Sequence, residues 1–242
     1  MFEEFVRDED IPAYAILSHT WGNDEVTYKD MNKNRALAES KPGYRKIEFC
    51  AKRIRDDGIE HFWVDSCCIN KSSSAELSEA INSMYRWYRN AAVCYTFLSD
   101  VPTRLDGAAP EADEAWWKKF RDARWFSRGW CLQELIAPQR LVFFSENGIH
   151  LGTKKSMAVE LQAITGVPIS VLVTGNVSKS SVAQRMSWAA HRSTSRAEDI
   201  AYCLMGIFEV NMAMLYGEGE RAFLRLQEEI IKTSDDMSLF CW

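Results

Sequence analysis

The 242 residues are 47% hydrophobic and 26% charged, a soluble globular composition with apolar mass for one sizeable core or a core plus a satellite lobe. A net charge of -5, from 34 acidic against 29 basic side chains, argues against nucleic acid as the main partner, because duplex-binding domains carry a basic excess. No apolar run approaches membrane-spanning length, and the N-terminal MFEEFVRDED lacks a basic-then-apolar signal, so neither a membrane span nor secretion is expected.

The 7 cysteines are odd in number and show no C-x-x-C spacing. Reduced, mostly buried thiols in a cytoplasmic protein follow from that pattern. Together with 4 scattered histidines they offer no paired metal ligands, and no metal site is expected.

In chain order, AYAILSH (13–19) is a short apolar run ending in polar residues, hence a buried strand and then a loop. After a polar stretch, GYRKIEFCAKRIRDDG (43–58) sets Ile47, Cys50, Ala51 and Ile54 at helical spacing and stops at Gly58. HFWVDSCCIN (61–70) reads as strand then loop. SAELSEAINSMYRWYRNA (74–91) is a helix with Leu77, Ile81, Met84, Tyr85 and Tyr88 on one side, and AVCYTFLSD (92–100) is the next strand. A break with proline and glycine precedes the amphipathic helix EADEAWWKKFRDARWF; a helix beginning near Ser127 and a strand at 140–144 follow. Alternating strands and helices with nearly continuous apolar strands predict an α/β fold, a doubly wound, mostly parallel sheet covered on both faces. From about residue 153 the pattern turns helical, near 155–165, 180–191, 196–207 and 217–233. We therefore expect one domain, with an α/β core over about 12–152 and a helical extension over about 153–242 packed on it. The apolar ending SLFCW has the look of a chain that continues into further domains.

In open parallel sheets the ligand crevice lies beyond the carboxyl ends of the strands. There the sequence places SHTWGN (18–23) and DSCCINK (65–71), both richer in polar groups than a turn requires. Ser18 and Asp65 would also serve as plain loop and helix caps. In a helix from Ser127, Trp130 and Glu134 lie four apart and share a face, while Leu132, Leu135 and Ile136 point to the core. Glu134 is then either an exposed partner of Arg128 or Arg140, worth little, or a carboxylate beside an indole in a crevice, suited to stabilising positive charge.

The segments YAILSHTWG, FWVDSCCINK, MYRWYRNAAVCYTFLSDV, RWFSRGWCLQELIAP and RAEDIAYCLMGIFEVNMAMLYGEGERAFLRLQEEI together resemble the heterokaryon-incompatibility (HET) domain of filamentous fungi, from about residue 12 to the end. The resemblance implies a cell-death effector that often forms the N-terminal part of a larger receptor. SRGWCLQELI is also similar to the S-x-W-C-x-x-E-L helix of Toll/interleukin-1 receptor (TIR) domains, which have a flavodoxin-like sheet. There the serine matches Ser127, one residue early because of Gly129, and Trp130, Cys131 and Glu134 match directly. In TIR enzymes this helix supplies the catalytic glutamate for NAD hydrolysis. The likeness thus implies NAD as substrate, scission of the nicotinamide–ribose bond and Glu134 as the catalytic group. Trp21 or Trp130 would wall the ring, Ser18, His19, Asp65 and Asn70 would bond the ligand, and Arg124 or Arg128 would meet the pyrophosphate. The added glycine, the insertion over 20–43 and the helical tail depart from the TIR pattern.

Two other readings stand beside this one. A cysteine hydrolase would use Cys67 or Cys68 with His19 or His61. A non-catalytic scaffold would signal by self-association, with the 9 tryptophans and 8 tyrosines serving interfaces. YGEGERAF lacks the Gly-Lys-Ser/Thr ending of a phosphate loop and reads as a turn into the last helix.

Overall fold

The computed structural model describes residues 2–5, 7–104 and 110–241. Residues 105–109 of the predicted Pro/Gly break, and Trp242 of the terminal SLFCW, lie outside the described residues. Five strands form one sheet: β1 (Tyr14–His19), β2 (His61–Val64), β3 (Val93–Phe97), β4 (Leu141–Phe144) and β5 (His150–Thr153), in the order β2-β1-β3-β4-β5. The first four are parallel, and β5 runs antiparallel to β4. That order is one of the two common arrangements of doubly wound sheets, and its ligand crevice lies where the winding reverses, between β1 and β3.

The pleat divides the apolar side chains into two cores. Ile16, Cys94, Leu141 and Phe143 face one side, while Ala15, Leu17, Tyr95, Val142 and Phe144 face the other. Fully burying each such aliphatic or aromatic side chain stabilises the fold by roughly 1.5–3 kcal/mol. Before β2 come α1 (Tyr28–Lys33), α2 (Arg35–Ser40) and α3 (Tyr44–Asp56). The first two occupy the polar stretch of the sequence, and they stand on local caps. Thr27 and Asp30 form a capping box on α1, and Asn34 caps α2. Helix α3 covers the second core with Ile47, Cys50 and Ile54. It ends at Gly58, whose φ of 70° suits glycine, while the Ile59 amide closes back on the Ile54 carbonyl at 2.8 Å.

The sequence predicts a loop after β2; the chain forms a helical turn there, α4 (Asp65–Cys68), whose Cys67 joins the second core. On the other face lies α5 (Ser74–Asn90). Ser73 caps α5 through the Glu76 amide, and Ala80, Ile81, Met84 and Tyr88 are buried. The expected helix EADEAWWKKFRDARWF is split into α6 (Pro110–Arg121) and α7 (Arg124–Ser127), and the helix expected from near Ser127 starts only at Cys131, as α8 (Cys131–Ile136). The cause is pairing with a distant segment. Arg128 is extended and bridges Ser193, the Gly129 amide donates to the Ser193 carbonyl at 2.9 Å, and the Ser193 amide donates to Ser127 at 2.8 Å.

Ser193 belongs to the helical extension: α9 (Ala158–Thr165), α10 (Ile169–Thr174), α11 (Val182–Ser187), α12 (Asp199–Tyr202), α13 (Met205–Phe208) and α14 (Arg221–Thr233). One apolar cluster runs from Ile16 and Phe143 through Leu132 and Leu161 to Ile207, Leu226 and Ile230, so the extension shares the core of the sheet face it covers. Gly129 is a close approach between the two. A Cβ there would lie 2.6 Å from Thr194 Cγ2 and 3.1 Å from Cys203 Sγ. Gly129→Ala should therefore cost about 1–3 kcal/mol through overpacking, seen as a lower urea midpoint at unchanged slope; an unshifted midpoint would contradict this tight junction.

Candidate functional site

The site starts from the carboxyl end of β1. Successive residues of a strand point to opposite faces, so Ser18 follows Ile16 towards α8 while His19 follows Leu17 towards α3. Ser18 is completely buried and in register with Thr96 of β3. Its hydroxyl accepts the Trp125 indole N–H at 2.7 Å and donates to Glu134 Oε2 at 2.5 Å. Because the indole can only donate, the serine proton is directed at the carboxyl group.

Glu134 is 6% exposed, which removes the reading of an exposed partner for Arg128 or Arg140; Arg140 instead approaches Asp57 at 3.7 Å. Burial first, and then the charge of Asp65, raise the Glu134 pKa from 4.5 to about 8, against the hydrogen bonds of Ser18 and Cys131 and the pull of Arg128. Helix α8 that carries it is fixed from behind. The buried Lys154 donates to the carbonyls of Leu135 (3.0 Å), Ile136 (3.2 Å) and Pro138 (2.5 Å), which caps the negative end of the helix. Leu132, Leu135 and Ile136 are fully buried, as their spacing predicts.

On the α3 side, His19 lies 3.8 Å from both Glu25 Oε2 and Asp65 Oδ1. Burial and then Lys46 lower its pKa to about 3, so the ring is neutral near pH 7 and these are contacts, not ion pairs. Both its nitrogens are buried without a hydrogen-bond partner. Glu25 is instead paired with Lys46, whose ammonium also donates to the Thr20 carbonyl at 2.9 Å. Trp21 donates its indole N–H to Asp65 Oδ2 at 2.8 Å, and its carbonyl accepts from Arg124 at 3.1 Å. Asp65 itself is raised, chiefly by removal from water, against the opposing charge of Lys71 and the Trp21 bond.

Of the residues expected at the site, Ser18 and Glu134 are thus joined directly, and His19, Asp65 and Trp21 form a second group beside them. Asp65 links the two, because its charge acts on Glu134 and its carboxylate touches the Trp21 group. Arg128 acts electrostatically on both Glu134 and His19 and donates to Ser195 Oγ at 3.4 Å. Trp130 is half-buried, and its hydrogen bond goes to Asp199 of the extension. The indole tied to Glu134, through Ser18, is Trp125 and not Trp130, which sits at the N-cap of α8 and bonds Asp199 instead. Asn70 is engaged in its own turn: Oδ1 accepts from Ser72 N at 3.2 Å and Ser72 Oγ at 2.6 Å. As for the cysteine reading, its neighbour Cys68 and burial hold Cys67 as a thiol. His61 lies at the opposite end of β2, against Glu3 at 3.0 Å.

Trp125, Lys154, Glu25, Lys46, Lys71 and Asp199 were not anticipated. A tryptophan in an apolar run reads as core, and Lys46 and Lys154 gain their partners only through folding, from Lys46 to Glu25 across 21 positions of chain and from Lys154 to Leu135 across 19.

The Glu134 pKa makes a stability prediction. A carboxyl whose native pKa lies above its unfolded one keeps its proton in the native state alone between the two values. The wild type therefore loses stability from this group as pH rises from 4.5 towards about 8. Glu134→Gln removes the titration, so thermal melts should show the variant gaining on the wild type, by several degrees, between pH 5 and pH 8. A difference that does not vary with pH would contradict the buried-acid assignment.

Residues 14–109 match the family model described as "Heterokaryon incompatibility protein (HET)". The chain is 51% identical over 225 residues, 92% of its length, to the vegetative incompatibility protein HET-E-1 of Podospora anserina, and it spans 16% of that protein. No solved structure matches it significantly. Ser18, Asp65 and Trp21 fall inside the family match, and the identity to HET-E-1 extends over nearly the whole chain, so the chain belongs to the heterokaryon-incompatibility family and carries its HET domain.

Proposed function

We propose that this HET domain is a cytoplasmic cell-death effector that cleaves the nicotinamide–ribose bond of NAD at Glu134, in the manner of TIR enzymes, within a longer receptor-like chain. The observation that carries the reading is the carboxyl group of Glu134. It is buried, directed by Ser18 and Trp125, and set against the carboxyl end of β1 next to the reversal of the sheet. The TIR-like helix motif supports the same choice. The 7 free cysteines accord with a reducing compartment, and among the described residues no helix is long and apolar enough to cross a membrane.

Scission of this bond sends its electron pair to the pyridinium nitrogen, so nicotinamide leaves neutral and needs no general acid. Positive charge develops at the anomeric carbon, as in glycoside hydrolysis. Water or another nucleophile takes that carbon and releases a proton. An ionised Glu134 stabilises the developing cation and holds the ribose hydroxyls. In the free protein the group is protonated at neutral pH; the cationic ring of the incoming substrate favours its ionised form. Arg128 has the guanidinium fork suited to phosphate oxygens.

A second reading is favoured by the exposed apolar side chains Leu224 (60%), Ile231 (50%), Met237 (71%) and Phe240 (67%): a scaffold that signals by assembly alone. Self-association would serve either role, and in the first it would raise turnover.

Incubating the purified chain with NAD and following nicotinamide release separates the two. Glu134→Gln should lower kcat by on the order of 10² to 10³ while the fold is retained. In the wild type, kcat/KM should rise with pH and level off above about 8, the pKa of Glu134 in the free protein. Undiminished turnover in the variant, or no turnover at any protein concentration, overturns the catalytic reading and leaves the scaffold.

A further inference from the structure

Lys71 follows α4 on the loop beyond the carboxyl end of β2, and its ammonium lies 3.4 Å from the centroid of the Trp21 ring. Asp65, Asp199 and Glu25 all act on this charge. Trp21 beneath is held twice, its indole N–H by Asp65 and its backbone carbonyl by Arg124. At the back of the same place stands His19. Its side chain is 1% exposed, its Nε2 faces Asp65 Oδ1 at 3.8 Å, and neither ring nitrogen has a partner. A neutral imidazole offers one donor and one acceptor, the complement of a primary carboxamide. An immobilised aromatic face backed by a carboxylate is how proteins bind organic cations. Here a cation of the chain itself fills it.

Lysine suits a removable occupant. Its ammonium is a compact, strongly hydrated charge on a flexible four-carbon stem, and the Lys71 side chain is exposed, so it reaches water without unfolding anything. We propose that Trp21 and Asp65 form a subsite for a pyridinium cation, with Lys71 as a built-in competitor that leaves the indole when the ligand ring stacks there. Identifying that ring with oxidised NAD rests on the function proposed above; the subsite itself does not depend on Glu134. The arrangement also favours release. Bond scission turns the ring from a cation into neutral nicotinamide, which loses the electrostatic part of its attraction, and the Lys71 ammonium returns.

The test is titration calorimetry on the whole chain with 1-methylnicotinamide, a pyridinium cation, and with nicotinamide, its neutral counterpart. Lys71→Met should bind the cation about tenfold more tightly than the wild type, the scale of one partly desolvated cation–π contact. Lys71→Arg should stay near the wild type, and neutral nicotinamide should change little in either variant. Trp21→Leu should lose the cation. Should that variant fail to fold, the two Lys71 variants decide alone, because they alter an exposed side chain. Equal affinity of Lys71→Met and wild type for 1-methylnicotinamide, or an equal gain for nicotinamide, overturns the proposal. NAD turnover plays no part in these titrations, so a failed Glu134 mechanism and a failed subsite give separate results.

Discussion

The hydroxyl of Ser18 stands between an indole N–H and a carboxyl group, and the chemistry of the fold is arranged around it. Without a donor, a carboxyl buried to the depth of Glu134 would be left unsatisfied, which costs about 1–3 kcal/mol or more. With Ser18 and Cys131 as donors the group is tolerated, yet its proton is retained to about pH 8. Three separate elements must meet for this: the last turn-out of β1, the short α7 that carries Trp125, and α8. The order of the sheet brings the first near the other two, and Lys154 holds α8 in place by its carbonyl end. A buried acid of this kind is common where a pKa has been moved for a task and uncommon where only stability is at stake.

The helical extension contributes to this arrangement as well as to the core. Its Ser193 pairs with residues 127–129 and ends α7 there. Its Arg192, itself buried, donates to the Arg128 carbonyl at 2.9 Å. Asp199 takes the Trp130 hydrogen bond and a second one from Tyr216 at 2.9 Å. The glycine that departs from the TIR helix motif is a residue that the extension packs against closely. That departure is thus a packing requirement of the added helices, and it leaves the position of Glu134 on α8 intact.

Much of the sheet was legible because its strands are buried on both faces. YAIL and LVFF are unbroken apolar runs, VCYTF is interrupted by Thr96 alone, and the i, i+3, i+7 spacing of Ile47, Cys50 and Ile54 marks the covering helix α3. Strand β5 was not legible: HLGT is half-exposed, polar and only four residues long, with no period to detect. Helix α10 hides for a similar reason, since ISVLVT is rich in β-branched residues that favour strands. At the site, Ser18, Asp65 and Glu134 could be marked because polar groups ended or interrupted apolar runs. A helix continuing from Ser127 would set Trp130 beside Glu134; the pairing of Arg128 with Ser193, 65 residues away, is a tertiary effect that no local pattern carries. Lys71 and Lys154 read as ordinary surface lysines for the same reason.

The central claim is that Glu134 is a protonated, buried acid that the substrate ring converts to a carboxylate. Infrared difference spectroscopy of the whole chain tests it directly, with Glu134→Gln used to assign the band. The account predicts a protonated carboxyl stretch at pH 7 that falls by half near pH 8 and vanishes above it, and that is lost at pH 7 on adding a non-hydrolysable NAD analogue. A Glu134 band already ionised at pH 6, or one that the analogue leaves unchanged, would contradict it.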